Sequence, residues 1–261
     1  MLSDSILIEN PENGKARYRI ITIHRPHKRN ALDHATLQQL IAQVKAADAD
    51  KHLRALIITG SGDAAFCSGA DLAAIIQEEG SVDGISAFGD LFLTLNNVGI
   101  PIIAAVNGVA VGGGLGILLA SDLVVMSENA KIGAPEVKRG LFAMFISRFV
   151  YQSFPEKVAN QMLLLGEMLD AKRALELGVV NAVVSQGEVL AEAVKMAHKL
   201  CELSGSVLRT GKRAIRRQRD YDFEAAMQFL GEELKTNLRL NDSREGISAF
   251  LEKRHPAWSD S

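Results

Sequence analysis

Apolar residues along the chain fall into two recurring patterns. Residues 18–24 read as a strand that ends at Arg25-Pro26, and 55–59, 102–106 and 123–126 are continuous apolar runs of strand length. Such runs suit strands buried on both faces. Between them lie helical spacings. Leu37, Leu40, Ile41 and Val44 share one face, and Asp33 stands where a helix cap belongs. Strands alternating with helices predict an α/β fold. After about residue 187 only the helical spacing continues. Phe223, Met227, Leu230, Leu234 and Leu238 mark one helix, and Asp242-Ser243-Arg244-Glu245 reads as a capping box before Ile247, Phe250 and Leu251. The expected division is an α/β core over 1–200 and a C-terminal helical subdomain over 201–261, with no internal repeat and no long linker.

Composition narrows this picture. With 48% hydrophobic and 23% charged residues among 261, the chain is too apolar to be disordered. A net charge of −2 lacks the electrostatic footprint of a dedicated nucleic-acid binder. Cys67 and Cys201 cannot form a disulfide framework, and the first eight residues carry Asp4 and no basic cluster, so a cytoplasmic, reducing location is expected. Residues 100–120 are nearly long enough for a membrane span. Pro101, Asn107-Gly108 and Gly112-Gly113-Gly114 divide them into strand, turn and helix, so no membrane partner is expected. The six histidines include no pair four residues apart, and no metal site is expected. Arg209, Lys212, Arg213, Arg216, Arg217 and Arg219 read as a solvated helix face, with RNA binding as the functional alternative. Gly112 and Gly114 lack the third glycine of a dinucleotide fingerprint, Gly211-Lys212 lacks the rest of a phosphate loop, and Ser68 lacks the flanking glycines of a nucleophile elbow.

Three segments carry candidate chemistry: 65–72 (AFCSGADL), 105–119 (AVNGVAVGGGLGILL) and 132–141 (IGAPEVKRGL). The first two run from a buried strand through a loop of small residues towards a helix. Small residues let a ligand approach the backbone, and a helix start leaves N–H groups unpaired. Two such loops facing each other could hold one developing oxyanion. Tight helix–strand packing would call for the same glycines. Glu136 follows Pro135, where a glutamate suits either the first turn of a helix or acid/base work.

Together these segments resemble the crotonase, or enoyl-CoA hydratase/isomerase, superfamily. Further matching pieces keep the same order: Arg25-Pro26, Asn30-Ala31-Leu32, Ala120-Ser121-Asp122, Leu165-Gly166, 171–181 and the ending at Lys253-Arg254. The resemblance implies a spiral of β-β-α turns with trailing helices, assembled as a homotrimer or homohexamer. It implies an acyl-CoA thioester as substrate and no separate cofactor, since CoA is part of the substrate. It further implies that the N–H groups of Ala70 and Gly113 hold the thioester oxygen while Glu136 moves protons. Arg29, Ala31, Ser68, Gly69, Asp71, Leu72, Gly112 and Phe142 match substrate-contacting positions. Phe250 and Lys253 match C-terminal CoA contacts that can reach a neighbouring subunit.

The chain departs from the pattern of many hydratases in the family at one position. Those enzymes use two glutamates, and where the first would stand this chain has Gly116. Residues 142–147 (FAMFIS) replace the usual glycine-rich stretch and suggest a bulkier, more apolar acyl pocket. One carboxylate suffices for a double-bond shift, so isomerisation is the expected chemistry. Hydration, including that of branched or glutaconyl-type enoyl-CoA, is the alternative, and thioester hydrolysis on the same scaffold is a further one.

Overall fold

The computed structural model describes residues 5–77 and 82–261; residues 1–4, part of the start read for a targeting signal, lie outside the described residues. The four predicted apolar runs form the centre of a six-stranded sheet. Its spatial order is β1 (Ile6–Glu9), β2 (Tyr18–Ile23), β3 (Ala55–Gly60), β5 (Ile102–Val106), β7 (Leu123–Ser127) and β10 (Ala182–Val184). β1 runs antiparallel to β2, and every later neighbour is parallel. Along β3, Leu56 and Ile58 enter the larger core while Ala55 and Ile57 enter a smaller one on the opposite face. That two-sided burial is why the run is continuously apolar.

A second sheet takes the strand that follows each central one. Its order is β4 (Ala65–Cys67), β6 (Val109–Val111), β8 (Lys131–Gly133) and β9 (Met168–Asp170), the first three parallel. The chain thus repeats strand, strand, helix. α1 (His34–Ala49) precedes the first turn, and the Asp33 carboxylate accepts the Thr36 N–H at 2.9 Å, capping it as expected. β4 leads to α2 (Leu72–Gln77) and α3 (Val82–Asn97), and β6 leads to α4 (Gly113–Ala120). β8 leads through a 3-10 turn, Pro135–Arg139, to α5 (Met144–Ser153). This is the β-β-α spiral that the resemblance implies. α6 (Glu156–Leu165) and α7 (Ala171–Glu176) follow, and α8 (Val189–Cys201) covers the smaller core with Val189, Ala193 and Ala197.

The last three helices, α9 (Gly205–Arg217), α10 (Phe223–Leu238) and α11 (Asn241–Glu252), agree with the helical spacing, and α10 has the span its apolar residues mark. Two local expectations are corrected. α11 begins at Asn241 without a side-chain cap, and Asp242 is buried, accepting hydrogen bonds from Ser204 Oγ at 2.5 Å and the Ser259 N–H at 2.7 Å. The basic cluster is also no solvated face throughout. Arg209 pairs with Asp48 at 2.7 Å, while the buried Lys212 and Arg216 pair with Asp122 at 2.7 and 2.8 Å. These charges fasten α9 to the core instead of forming an open basic stripe. Asp122→Asn would leave two buried cations without their counter-charge, and we expect it to cost about 3–5 kcal/mol in urea unfolding.

Apolar side chains remain uncovered on α10 and α11. Phe223 is 82% exposed and Phe250 81%, with Met227, Leu234, Ile247 and Leu251 also exposed. Among the described residues no helix is long and apolar enough to cross a membrane.

Candidate active site

The second sheet explains why distant segments meet. β4, β6 and β8 are adjacent and parallel, so the residues after each strand emerge side by side at one sheet edge. Those residues are the first glycine loop, the second glycine loop and the turn bearing Glu136. Open α/β sheets commonly place ligands at such carboxyl ends.

In the first loop the backbone donors can be accounted for one by one. Ser68 donates to the Arg29 carbonyl at 3.1 Å, Gly69 to Cys67 Sγ at 3.4 Å, and Asp71 to the Leu32 carbonyl at 3.0 Å. Leu32 donates in return to the Gly69 carbonyl at 2.8 Å, forming a parallel bridge around Ala70. A bridge of that kind uses the groups flanking Ala70 and turns the N–H of Ala70 itself to the other side. The turn at 25–32 holds this geometry. Asn30 is fully buried, with its side-chain amide donating to the Ala65 carbonyl at 2.7 Å. Arg25 ties Asp33 and Asp71 together at 2.7 and 3.2 Å.

The second loop enters α4 through Gly112, whose φ of +55° and ψ of −122° suit glycine and few other residues. Gly112 donates to the Gly133 carbonyl at 3.2 Å, leaving Gly113 as the first helical residue, with no intrahelical acceptor for its N–H. The two loops are in close approach: a Cβ on Gly69 would stand 3.1 Å from Gly113 N and 3.0 Å from the Val111 carbonyl oxygen. Ala70, Gly113 and Glu136 all line one cavity of about 260 Å³.

Glu136 lies in the first turn of the 3-10 segment and is half-buried. A Cβ on Gly112 would approach its Oε1 to 2.8 Å, so a side chain at 112 would displace the carboxylate. Its Oε2 is buried without a hydrogen-bond partner. Burial pushes the carboxyl pKa above its ordinary value, opposed in part by its own backbone N–H and by the charge of Arg139.

The remaining walls are largely apolar, with Ser68 and Arg139 the polar exceptions. Phe88 and Phe92 come from α3, and Phe142, Met144, Phe145 and Ile146 come from the 142–147 segment. The aromatic rings of α3 fill gaps left by glycines on α4. A Cβ on Gly113 would meet Phe88 Cε1 at 2.5 Å, and one on Gly116 would meet Phe92 Cε1 at 2.5 Å and Ile146 Cγ2 at 2.8 Å. The room a side chain at 116 would need is therefore occupied.

A second, adjoining cavity of about 690 Å³ shares Ser68, Ala70, Leu72, Val111, Pro135 and Arg139 with the first and adds Arg29. Of the other residues singled out in the sequence, Gly69 and Gly112 line the apolar cavity. Ala31 and the loop residue Asp71, which pairs with Arg25, are buried and line neither space. Phe250 and Lys253 lie exposed at the end of α11 and also line neither. Phe88, Phe92 and Arg139 were not foreseen. Phe88 and Phe92 stand four apart on one helix, facing glycines three apart on another, a pairing visible only once the two helices are known to touch.

A β-β-α spiral with two glycine loops at adjacent strand ends is the crotonase architecture. The chain belongs to the enoyl-CoA hydratase/isomerase family, matching it over residues 15–261. It is 34% identical over 261 residues to the mitochondrial enoyl-CoA hydratase domain-containing protein 3 of Danio rerio, covering 99% of this chain and 89% of that protein. It is 32% identical over 249 residues to the short-chain-enoyl-CoA hydratase of Clostridium acetobutylicum, covering 92% and 93% of the two chains. The crystal structure of human enoyl-CoA hydratase domain-containing protein 3 superposes with a TM-score of 0.90 at 30% identity, covering 97% of this chain and all of that one.

Proposed function

We propose that this protein isomerises 3-enoyl-CoA thioesters with Glu136 as its single acid/base. The adjoining cavity with Arg29 takes the CoA portion, Ser68, Gly69 and Leu72 line its passage, and the acyl group enters the apolar cavity. The N–H groups of Ala70 and Gly113 donate to the thioester oxygen. Glu136 removes a proton from the α-carbon, and the electron pair left behind spreads through a dienolate whose negative oxygen the two donors stabilise. The resulting carboxylic acid returns that proton to the γ-carbon. The double bond moves from the β,γ to the α,β position, and neither water nor an oxidant is consumed.

The observation that carries this reading is the carboxylate inventory. Glu136 is the only carboxylate lining the apolar cavity among the described residues, and Phe92 and Ile146 fill the space at Gly116. Gly116→Glu is therefore expected to overpack the wall, costing roughly 1–3 kcal/mol in denaturant unfolding, and to gain no hydration activity. Hydration is the second reading, favoured by the names of the Danio rerio and Clostridium acetobutylicum relatives. Incubation with paired 3-enoyl- and 2-enoyl-CoA in ordinary and heavy water separates the two. Conjugated thioester arising from the 3-enoyl compound supports isomerisation. Loss of conjugation from the 2-enoyl compound, with one water gained in mass, would replace it with hydration.

The exposed apolar side chains of α10 and α11 support assembly into a trimer, or paired trimers, through these helices. In such an assembly Phe250 and Lys253 would meet a neighbour's CoA. Both cysteines are free, consistent with a reducing compartment such as the cytoplasm.

A further inference from the structure

The acyl cavity ends at a partition. Behind it lies another cavity of about 360 Å³, and the residues common to both are Phe92 and Phe145. The two aromatic side chains differ in how firmly they are held. Phe92 is buried, packed between Phe88 and Phe149 with ring centroids 6.3 and 5.5 Å away, and it fills the gap at Gly116. Phe145 is 46% exposed and leans on α3 through Gly89, where a Cβ would stand 3.3 Å from its Cε1. The far cavity is mixed in character: Leu93 and Phe149 offer apolar surface, while Arg148 and Arg219 contribute charge.

From this arrangement we infer that Phe145 is the stop that sets acyl-chain length, making medium-chain acyl-CoA thioesters the substrate class. The inference rests on the reading that the apolar cavity holds the acyl group. At roughly 30 Å³ per water-sized atom, the space of about 260 Å³ holds about nine non-hydrogen atoms. Allowing for the thioester oxygen beside Ala70 and Gly113, the acyl group that fills it has about eight carbons. A four-carbon chain leaves much of the aromatic wall uncovered, and a twelve-carbon chain must pass Phe145. With the Phe145 side chain gone, Phe92 alone would remain between the two cavities, and the far one would supply room for those extra carbons.

Saturated acyl-CoA thioesters of four to fourteen carbons test this by titration calorimetry, because they can neither isomerise nor hydrate. For the unmodified protein, Kd is expected to fall up to about fourfold per added methylene to about eight carbons, then to level or rise. In Phe145→Ala the tightening should continue, with at least a tenfold lower Kd than the unmodified protein at twelve carbons. Phe145→Trp, which keeps a large half-exposed aromatic side chain, should move the optimum to shorter chains. A chain-length profile that is flat in the unmodified protein, or the same in all three proteins, would overturn the assignment of Phe145. Acyl-CoA thioesters that bind no tighter than free CoA at every length would instead remove the acyl-CoA reading itself.

Discussion

Glu136→Gln is expected to lower kcat by about two to four orders of magnitude while leaving the Kd of a saturated acyl-CoA within about twofold. Glutamine keeps the shape of the side chain against Gly112, so the cavity wall and the two loops stay as they are. What it loses is the capacity to accept and return a proton. The amide also cannot be replaced by another group nearby, because no second carboxylate lines the apolar cavity among the described residues. A variant with most of its turnover intact would show that the proton moves by another route. One with weakened binding and unchanged kcat would make Glu136 a contact rather than a base.

The environment of Glu136 adds a pH signature. Burial raises its pKa above the ordinary value of 4.5, and a general base works only when ionised. The acid limb of the rate profile should therefore lie above pH 4.5, with activity lost as pH falls through the raised value. The same shift has a consequence for folding. The ionised carboxylate is less favourable in the folded protein than in the unfolded chain, so the folded state loses stability as pH rises from the unfolded pKa through the folded one. Below that window the penalty is absent. Glu136→Gln should accordingly unfold at higher urea concentration than the unmodified protein at pH 8 and show little difference at pH 4. Absence of that divergence would place the carboxylate in a more hydrated setting than its buried Oε2 indicates.

The features legible in the sequence are those written locally. The central strands announce themselves because β3 and β5 are buried along their whole length, with Thr59 their one polar side chain. The glycine loops and Glu136 were visible for a similar reason, each being a short segment with its own demands on backbone and charge. The strands β8, β9 and β10 have three residues each, too few for any periodicity to register. Partners far apart in sequence were hidden altogether. Nothing in 209–219 reveals that Arg209 meets Asp48, 161 positions away, or that Arg216 meets Asp122, 94 positions away. Spacing alone therefore made internal cations look like a solvated face. Asp242 misled in the opposite sense: its place before an apolar run suggests a cap, but Ser204 and Ser259 claim its carboxylate. The aromatic wall of the cavity follows the same logic, since Phe88 and Phe92 come to line it only because α3 packs on the glycine side of α4.

Gly69→Ala should show how much of the chemistry depends on the two loops rather than on the base. Gly69 has a φ of +86°, where a side chain brings backbone strain of roughly 1–3 kcal/mol. The added methyl would also sit 3.1 Å from Gly113 N and 3.0 Å from the Val111 carbonyl oxygen. Neither neighbour is the free end of a flexible chain, so the loops must separate or the methyl must cover the Gly113 donor. Either outcome costs one of the two N–H groups proposed to hold the oxyanion, and loss of one such donor typically lowers kcat by about two to three orders of magnitude. Gly178→Ala provides the comparison that isolates this effect. Its φ of +71° carries similar strain, but nothing lies within 4 Å of the position a Cβ would take. It should lose stability of the same order in denaturant unfolding while keeping its kcat. If Gly69→Ala matched Gly178→Ala in both stability and turnover, the close approach of the two loops at Gly69 would have no part in the reaction, because that approach is what distinguishes the two sites.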